Sequence, residues 1–264
     1  MTGDRMADHW WWRPGWRPGR RMYTWHFTFD GQRQMHDLAA AYQARLAHLP
    51  GLDLVPARWL HLTTQGVGFT DEVSDGQVDA IVAVSGEYLE ASGQLFVTLG
   101  PARVTPEAIL LDVSPVQPLA AIRRELRAAI AEVLGKARLM EADTWAPHVS
   151  VAYSSGTGPA APYAEAVADG PVTQAVISDV ELIVLGRDRR LYEWTTHASV
   201  RLGGDAGCAG HDSTTGQGRA SAVRDREGAG GRGLGRHRAV PGSAEDVLQE
   251  RGAGRDTPPH QRGG

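Results

Sequence analysis

The sequence predicts an α+β protein of two lobes around a groove. Two observations predict it. Apolar patterns of period two and period 3.6 follow one another along residues 22–202, in the order strand, helix, strand, helix, two strands, helix, strand, helix, two strands. The two halves of that order are alike in make-up. Each has helices and one strand in which a histidine precedes a hydroxyl residue by two places, as a duplicated unit would.

Taken in order, residues 1–21 carry Trp10, Trp11, Trp12 and Trp16 among Arg, Pro and Gly without periodicity. Tryptophans among arginines suit base stacking or a membrane surface, but the Pro-Gly repeats favour a disordered leader, with organised sequence starting at Met22 or Tyr23. Tyr23, Trp25, Phe27 and Phe29 alternate with polar residues, the mark of a strand with one apolar face. Met35, Leu38, Tyr42, Leu46 and Leu49 recur at helical spacing and stop at Pro50-Gly51. A histidine strand is expected over 57–65, a helix from Asp75 to about Glu90, and strands over Gln94–Leu99 and Ala108–Val113.

Pro118 opens the clearest helix. Leu119, Ile122, Leu126, Ile130, Val133 and Leu134 form its apolar stripe and Gly135 its C-cap, with Arg123, Arg124 and Arg127 expected on a solvated face. The second histidine strand occupies 147–153. A short helix near 160–168 leads into two long strand patterns, 173–185 and 190–202, whose turn offers Arg187, Arg189 and Arg190 to a phosphate or simply to solvent.

From residue 203 onward the character changes. This stretch holds half of the 32 glycines and no Phe, Tyr or Trp, too little apolar surface to offset the entropy of ordering. It reads as a disordered Gly/Arg-rich tail over 203–264, with Ser243–Arg251 the one helical scrap. An RNA-contacting arm is the functional reading of such a composition and an inert extension the plainer one. Without the tail the balance stays acidic, with 18 basic residues against 23 acidic, so there is no global field for long nucleic acid. The single cysteine, Cys208, lies in the tail, which excludes a disulfide framework and fits a reducing cytoplasm. With no run of 18 apolar residues and no signal-peptide pattern, a cytoplasmic monomer with no membrane partner is the expectation.

Chemistry concentrates in Leu60-His61-Leu62-Thr63 and Pro147-His148-Val149-Ser150-Val151-Ala152-Tyr153. In a strand, residues i and i+2 share a face, so imidazole and hydroxyl stand together. Histidine followed by Ser or Thr is not rare here, since His26-Phe-Thr28, His197-Ala-Ser199 and His211-Asp-Ser213 repeat it. His26 and His197 lie in the first and last strands, where a wall or hydrogen-bonding role is expected. His61 and His148 differ in following Trp59 and Trp145 closely, and their separation of 87 residues puts one in each lobe. Neither motif has a second histidine or carboxylate at metal-ligand spacing.

Those two segments resemble the paired signature motifs of the two-histidine phosphoesterase superfamily, especially its bacterial 2′-5′ RNA ligases, over about residues 22–202. The resemblance implies a bilobal duplicated fold, antiparallel sheets around a central cleft with helices packed outside. It implies cyclic phosphodiesterase or reversible 2′-5′ ligation chemistry on an RNA end or nucleotide, without metal or cofactor. His61 and His148 become the acid–base pair, and Thr63 and Ser150 the hydroxyls that hold phosphate. Tyr153, Gln65 and His26 are carried over as substrate-side residues, Gln65 because it shares the strand face of Thr63. Strict alternation puts Tyr153 on the face opposite His148 unless the strand bulges. The rival from another class is a module that holds a nucleotide or RNA end without turnover.

Overall fold

In the computed structural model, residues 4–140 and 144–203 are described. The tail from residue 204, with Cys208, His211 and Ser243–Arg251, lies outside them. In chain order the strands are β1 (Arg5–Met6), β2 (Met22–Thr28), β3 (Leu52–Leu54), β4 (His61–Phe69), β5 (Leu95–Val104), β6 (Ala108–Ser114), β7 (His148–Ser154), β8 (Gly158–Pro159), β9 (Thr173–Ile177), β10 (Asp179–Gly186) and β11 (Glu193–Arg201). The helices are α1 (Arg33–Leu46), α2 (Asp75–Leu89), α3 (Val116–Leu134) and α4 (Ala161–Val167).

Two antiparallel sheets carry the fold. One runs β11-β10-β2-β4 and is backed by α2 and α3; the other runs β3-β7-β6-β5-β9 and is backed by α1 and α4. Each lobe therefore owns one histidine strand, β4 or β7, as expected. The lobes are not the two halves of the chain, however. Helix α1 crosses from the first sheet to the second, and β10 and β11 return to the first. The long pattern over 173–185 is likewise two strands that part at Ser178, β9 joining one sheet and β10 the other. Alternation continues through the break, so period two alone cannot show a change of sheet.

The predicted stripes are the buried ones. Met35, Leu38, Tyr42 and Leu46 of α1 and Leu119, Ile122, Leu126 and Ile130 of α3 are all buried. Gly135 ends α3 at φ +85°, a conformation that the missing Cβ permits. Arg123 departs from the solvated face expected of it. It is buried, and its Nε donates to the Thr64 carbonyl at 3.0 Å. Its guanidinium also lies 5.6 Å from the Trp145 ring. Among the described residues no helix is long and apolar enough to cross a membrane.

The disordered leader expected before Met22 is corrected by residues 4–21, which are packed. β1 pairs with β8, and Met6, His9, Arg13 and Trp16 are buried. The physical reason is long-range and absent from local composition. Glu107 accepts from Trp11 Nε1 at 3.0 Å and from Arg13 Nη2 at 2.6 Å, and Asp53 accepts from Trp10 Nε1 at 2.8 Å. Trp16 stands edge-on to Phe69 at 5.2 Å. The turn after β10 completes the clamp: Arg187 Nη2 donates to the His9 carbonyl, Asp188 accepts from Gly19 N, and Arg190 reaches Asp53. Arg187 and Arg190 thus hold the N-terminal segment, while Arg189 pairs with Glu193 on the surface.

Burial alone would raise the Glu107 carboxyl, but the His9 hydrogen bond and the charge of Arg13 outweigh it, and the group sits below its ordinary value of 4.5. A carboxyl depressed by folding stabilises fully above its unfolded value and loses that contribution as pH falls through the folded one. Glu107→Gln is expected to cost about 1–3 kcal/mol at neutral pH by urea unfolding. The gap to wild type should close as pH drops below 4.5; a gap constant from pH 7 to pH 3 would contradict this account.

Candidate active site

Both motif histidines are oriented by the same device. His61 Nδ1 lies 2.8 Å from the carbonyl of Trp59, and His148 Nδ1 lies 2.9 Å from the carbonyl of Ala146. A carbonyl only accepts, so each Nδ1 must carry its hydrogen and each Nε2 is the nitrogen that gains and loses a proton. Both imidazoles are held nearly buried, about 5 % exposed. The short 3-10 turn Ala57–Trp59 delivers the first carbonyl. A direct tie joins the motifs, because Trp145 Nε1 donates to the Thr63 carbonyl at 3.1 Å.

Thr63 and Ser150 stand where the alternation puts them. Directly opposed residues in an antiparallel ladder share a face. Thr63 pairs with His26, and Ser150 and His148 pair with Leu110 and Asp112 on the face away from the buried Ile109 and Leu111. Beyond each hydroxyl, the strand slips by one residue. In β4 the slip falls at Thr64, between the pairs His26 with Thr63 and Trp25 with Gln65. In β7 it falls at Val151, between the pairs Leu110 with Ser150 and Ile109 with Ala152.

The two bulges act oppositely on the sequence expectations. Gln65 is turned to the face opposite Thr63, fully buried, and accepts from Arg127 Nη1 of α3 at 3.0 Å. Its expected place beside His61 is therefore corrected. Tyr153 is turned onto the face of His148 and Ser150, against strict alternation. One face of its ring is already covered, by a stacked His9 at 4.2 Å, and the residue is only 1 % exposed. A substrate has no access to that surface, so the substrate-side place expected of Tyr153 is corrected too.

His26 is fully buried and lies flat against His61, ring centroids 4.4 Å apart and 4° from parallel. Its Nε2 is 3.3 Å from Thr63 Oγ1. It therefore supports the first motif from within the sheet. Two further aromatics were not singled out from the sequence. Trp194 meets the His61 ring edge-on at 5.2 Å and Trp59 at 4.6 Å; Tyr192 meets His61 at 6.1 Å and Tyr153 at 5.3 Å. Their signal was present, since Tyr192 and Trp194 alternate into a strand, but nothing local tied them to a histidine over 130 positions earlier.

Because Gln65 faces α3, Gln65→Met is expected to lower stability by about 1–3 kcal/mol, through the buried polar partners it abandons. The ring ¹⁵N signals of His61 and His148 should stay at their wild-type positions, because Gln65 lies on the other face of β4. Urea unfolding and NMR measure the two; a shift of the His61 signal in a folded variant would return Gln65 to the site.

The sequence profile of the 2′-5′ RNA ligase superfamily matches residues 30–189. No curated protein sequence matches the chain. Among solved structures, TT0787 of Thermus thermophilus superposes with a TM-score of 0.55 at 17% identity, covering 70% of this chain and 99% of that one. LigT of E. coli in apo form gives 0.52 at 16% identity, over 70% and 98%, and LigT complexed with 3′-AMP gives 0.51 at 15%, over 69% and 98%. At these identities the structures speak to the fold, and the fold is the same. With the profile spanning more than half of the chain and both of its histidine strands, this protein belongs to the 2′-5′ RNA ligase superfamily of two-histidine phosphoesterases.

Proposed function

We propose that the protein is a metal-independent phosphodiesterase acting on 2′,3′-cyclic phosphate or 2′-5′ linkages of RNA ends or nucleotides. The observation that carries this reading is the matched pair of imidazoles. Each is pinned through Nδ1 to a carbonyl two residues upstream, each offers Nε2 as its titrating nitrogen, and each has a hydroxyl two residues on. LigT has been crystallised with phosphate and with 3′-AMP, which supports a phosphate-bearing ligand for the histidine pair.

In hydrolysis, one neutral histidine takes a proton from water as the water oxygen bonds to phosphorus. The other, as imidazolium, gives a proton to the ribose oxygen as its bond to phosphorus breaks, leaving a phosphomonoester and a free hydroxyl. Thr63 and Ser150 donate to the non-bridging oxygens, where negative charge must be held. With a 5′-hydroxyl in place of water, the same proton movements make a 2′-5′ linkage. Two imidazoles supply both transfers, so the mechanism needs no metal.

The reaction is tested with the full chain and a short RNA ending in 2′,3′-cyclic phosphate, in EDTA. His61→Ala and His148→Ala should each lower kcat at least about 100-fold with the circular dichroism unchanged, since each removes one general acid or base. Thr63→Val and Ser150→Ala should each cost about 10- to 100-fold. The wild-type rate should be bell-shaped in pH, because the two histidines must be in opposite protonation states. A folded histidine variant with wild-type turnover would overturn the assignment. Binding of the RNA without turnover would instead favour a nucleotide-holding module.

A further inference from the structure

The N-terminal segment carries a buried imidazole that lies outside the span matched by the family profile and outside both motifs. His9 is fully buried and fixed through its backbone on both sheets. Its N–H donates to the Ser154 carbonyl at the end of β7 at 2.9 Å, and its carbonyl accepts from Arg187 beyond β10 at 3.1 Å. Its side chain is held as firmly. Nδ1 is 3.2 Å from Glu107 Oε2, Nε2 is 3.0 Å from the Tyr192 hydroxyl, and the ring stacks on Tyr153 at 4.2 Å.

The hydrogen-bond directions come from the chemistry of the groups. Glu107 is ionised below its ordinary range and only accepts, so Nδ1 is the donor to it. Nε2 holds the Tyr192 hydroxyl at 3.0 Å. Arg13 Nη2 caps the same carboxylate oxygen at 2.6 Å and lies 3.4 Å from Nδ1. The Tyr192 ring, so held, stands edge-on to His61 at 6.1 Å and 77°. A chain of contacts thus runs from Glu107 through His9 and Tyr192 to the packing around the first motif histidine. Burying an imidazole and a phenol beside a half-buried carboxylate costs desolvation that an apolar filling would avoid. The polar chain adds direction, because it fixes the rotation of one ring that touches His61.

We propose that His9 is a positioning residue of the active site, which acts through the Tyr192 hydroxyl to fix the packing of His61. The proposal rests on the two-histidine reading of the cleft. His9→Phe keeps a ring to stack on Tyr153 and loses both side-chain hydrogen bonds. Tyr192→Phe loses only the hydroxyl.

In the full chain, each variant is expected to lower kcat on the cyclic-phosphate RNA about tenfold with KM within twofold, a cost typical of slight misplacement of a reacting group. The double variant should be no worse than the poorer single one, because both remove the same bond. His9→Gln, whose amide hydrogen-bonds again, should recover most of the rate. The ¹⁵N signal of His61 Nε2 should move in both single variants, which a merely structural role would not cause. If His9→Phe does not fold, Tyr192→Phe decides alone. Unchanged kcat and an unchanged His61 signal in a folded Tyr192→Phe would overturn the proposal, as would multiplicative losses in the double variant. Should the wild type bind RNA without turnover, the phosphodiesterase reading falls and the His61 signal still decides the link to His9.

Discussion

The site depends on a slip of one residue in each of two antiparallel ladders. A strand fixes side chains by parity, and an extra residue on one side of the ladder reverses every direction beyond it. In β4 the extra residue is Thr64 and in β7 it is Val151, each immediately after the hydroxyl of its motif. Histidine and hydroxyl are kept together on one face by ordinary alternation, and the side chains past the slip are reassigned. In β4 the reassigned side chain, Gln65, goes inward to meet Arg127 of α3. In β7 the reassigned side chain, Tyr153, comes round to meet His9. The same local event therefore ties one motif to its own helix layer and the other to the N-terminal segment.

This also explains how far the chain could be read beforehand. The helices α1, α2 and α3 and the strands β2, β6 and β7 announce themselves by apolar period, since each packs an apolar face against a partner layer. The two motifs were legible because imidazole and hydroxyl sit within one unbroken stretch of period two. Gln65 and Tyr153 were misplaced because counting in twos cannot register an extra residue whose only trace lies in the opposing strand. Arg123 was misread because its acceptor is a backbone carbonyl exposed by the same irregularity, and no sequence pattern marks such a carbonyl.

The N-terminal segment was hidden for a different reason. Tryptophan, arginine, proline and glycine without periodicity resemble an unstructured stretch when judged locally. Its partners, Asp53, Phe69, Glu107, Ser154, Arg187 and Tyr192, are spread through the rest of the chain and converge only on folding. Turns at Gly15 and Gly19, both at φ +80°, let the segment change direction between them. At Gly15 a Cβ would fall 2.7 Å from the Phe69 ring, so glycine there serves close approach as well as the turn. Composition described the residues correctly and missed their destination.

Because this segment is fastened to Ser154 on one sheet and to Arg187 and Asp188 at the tip of the other, it spans the two lobes like a cross-brace. Lobes tied in this way cannot swing apart about a hinge without first breaking that brace. For the phosphate-bearing ligand proposed above, that brace would hold the way in at a fixed width. Association would be set by diffusion and orientation at that entrance, not by the slow opening of a jaw, and the apparent affinity would carry no penalty for a rarely populated open state.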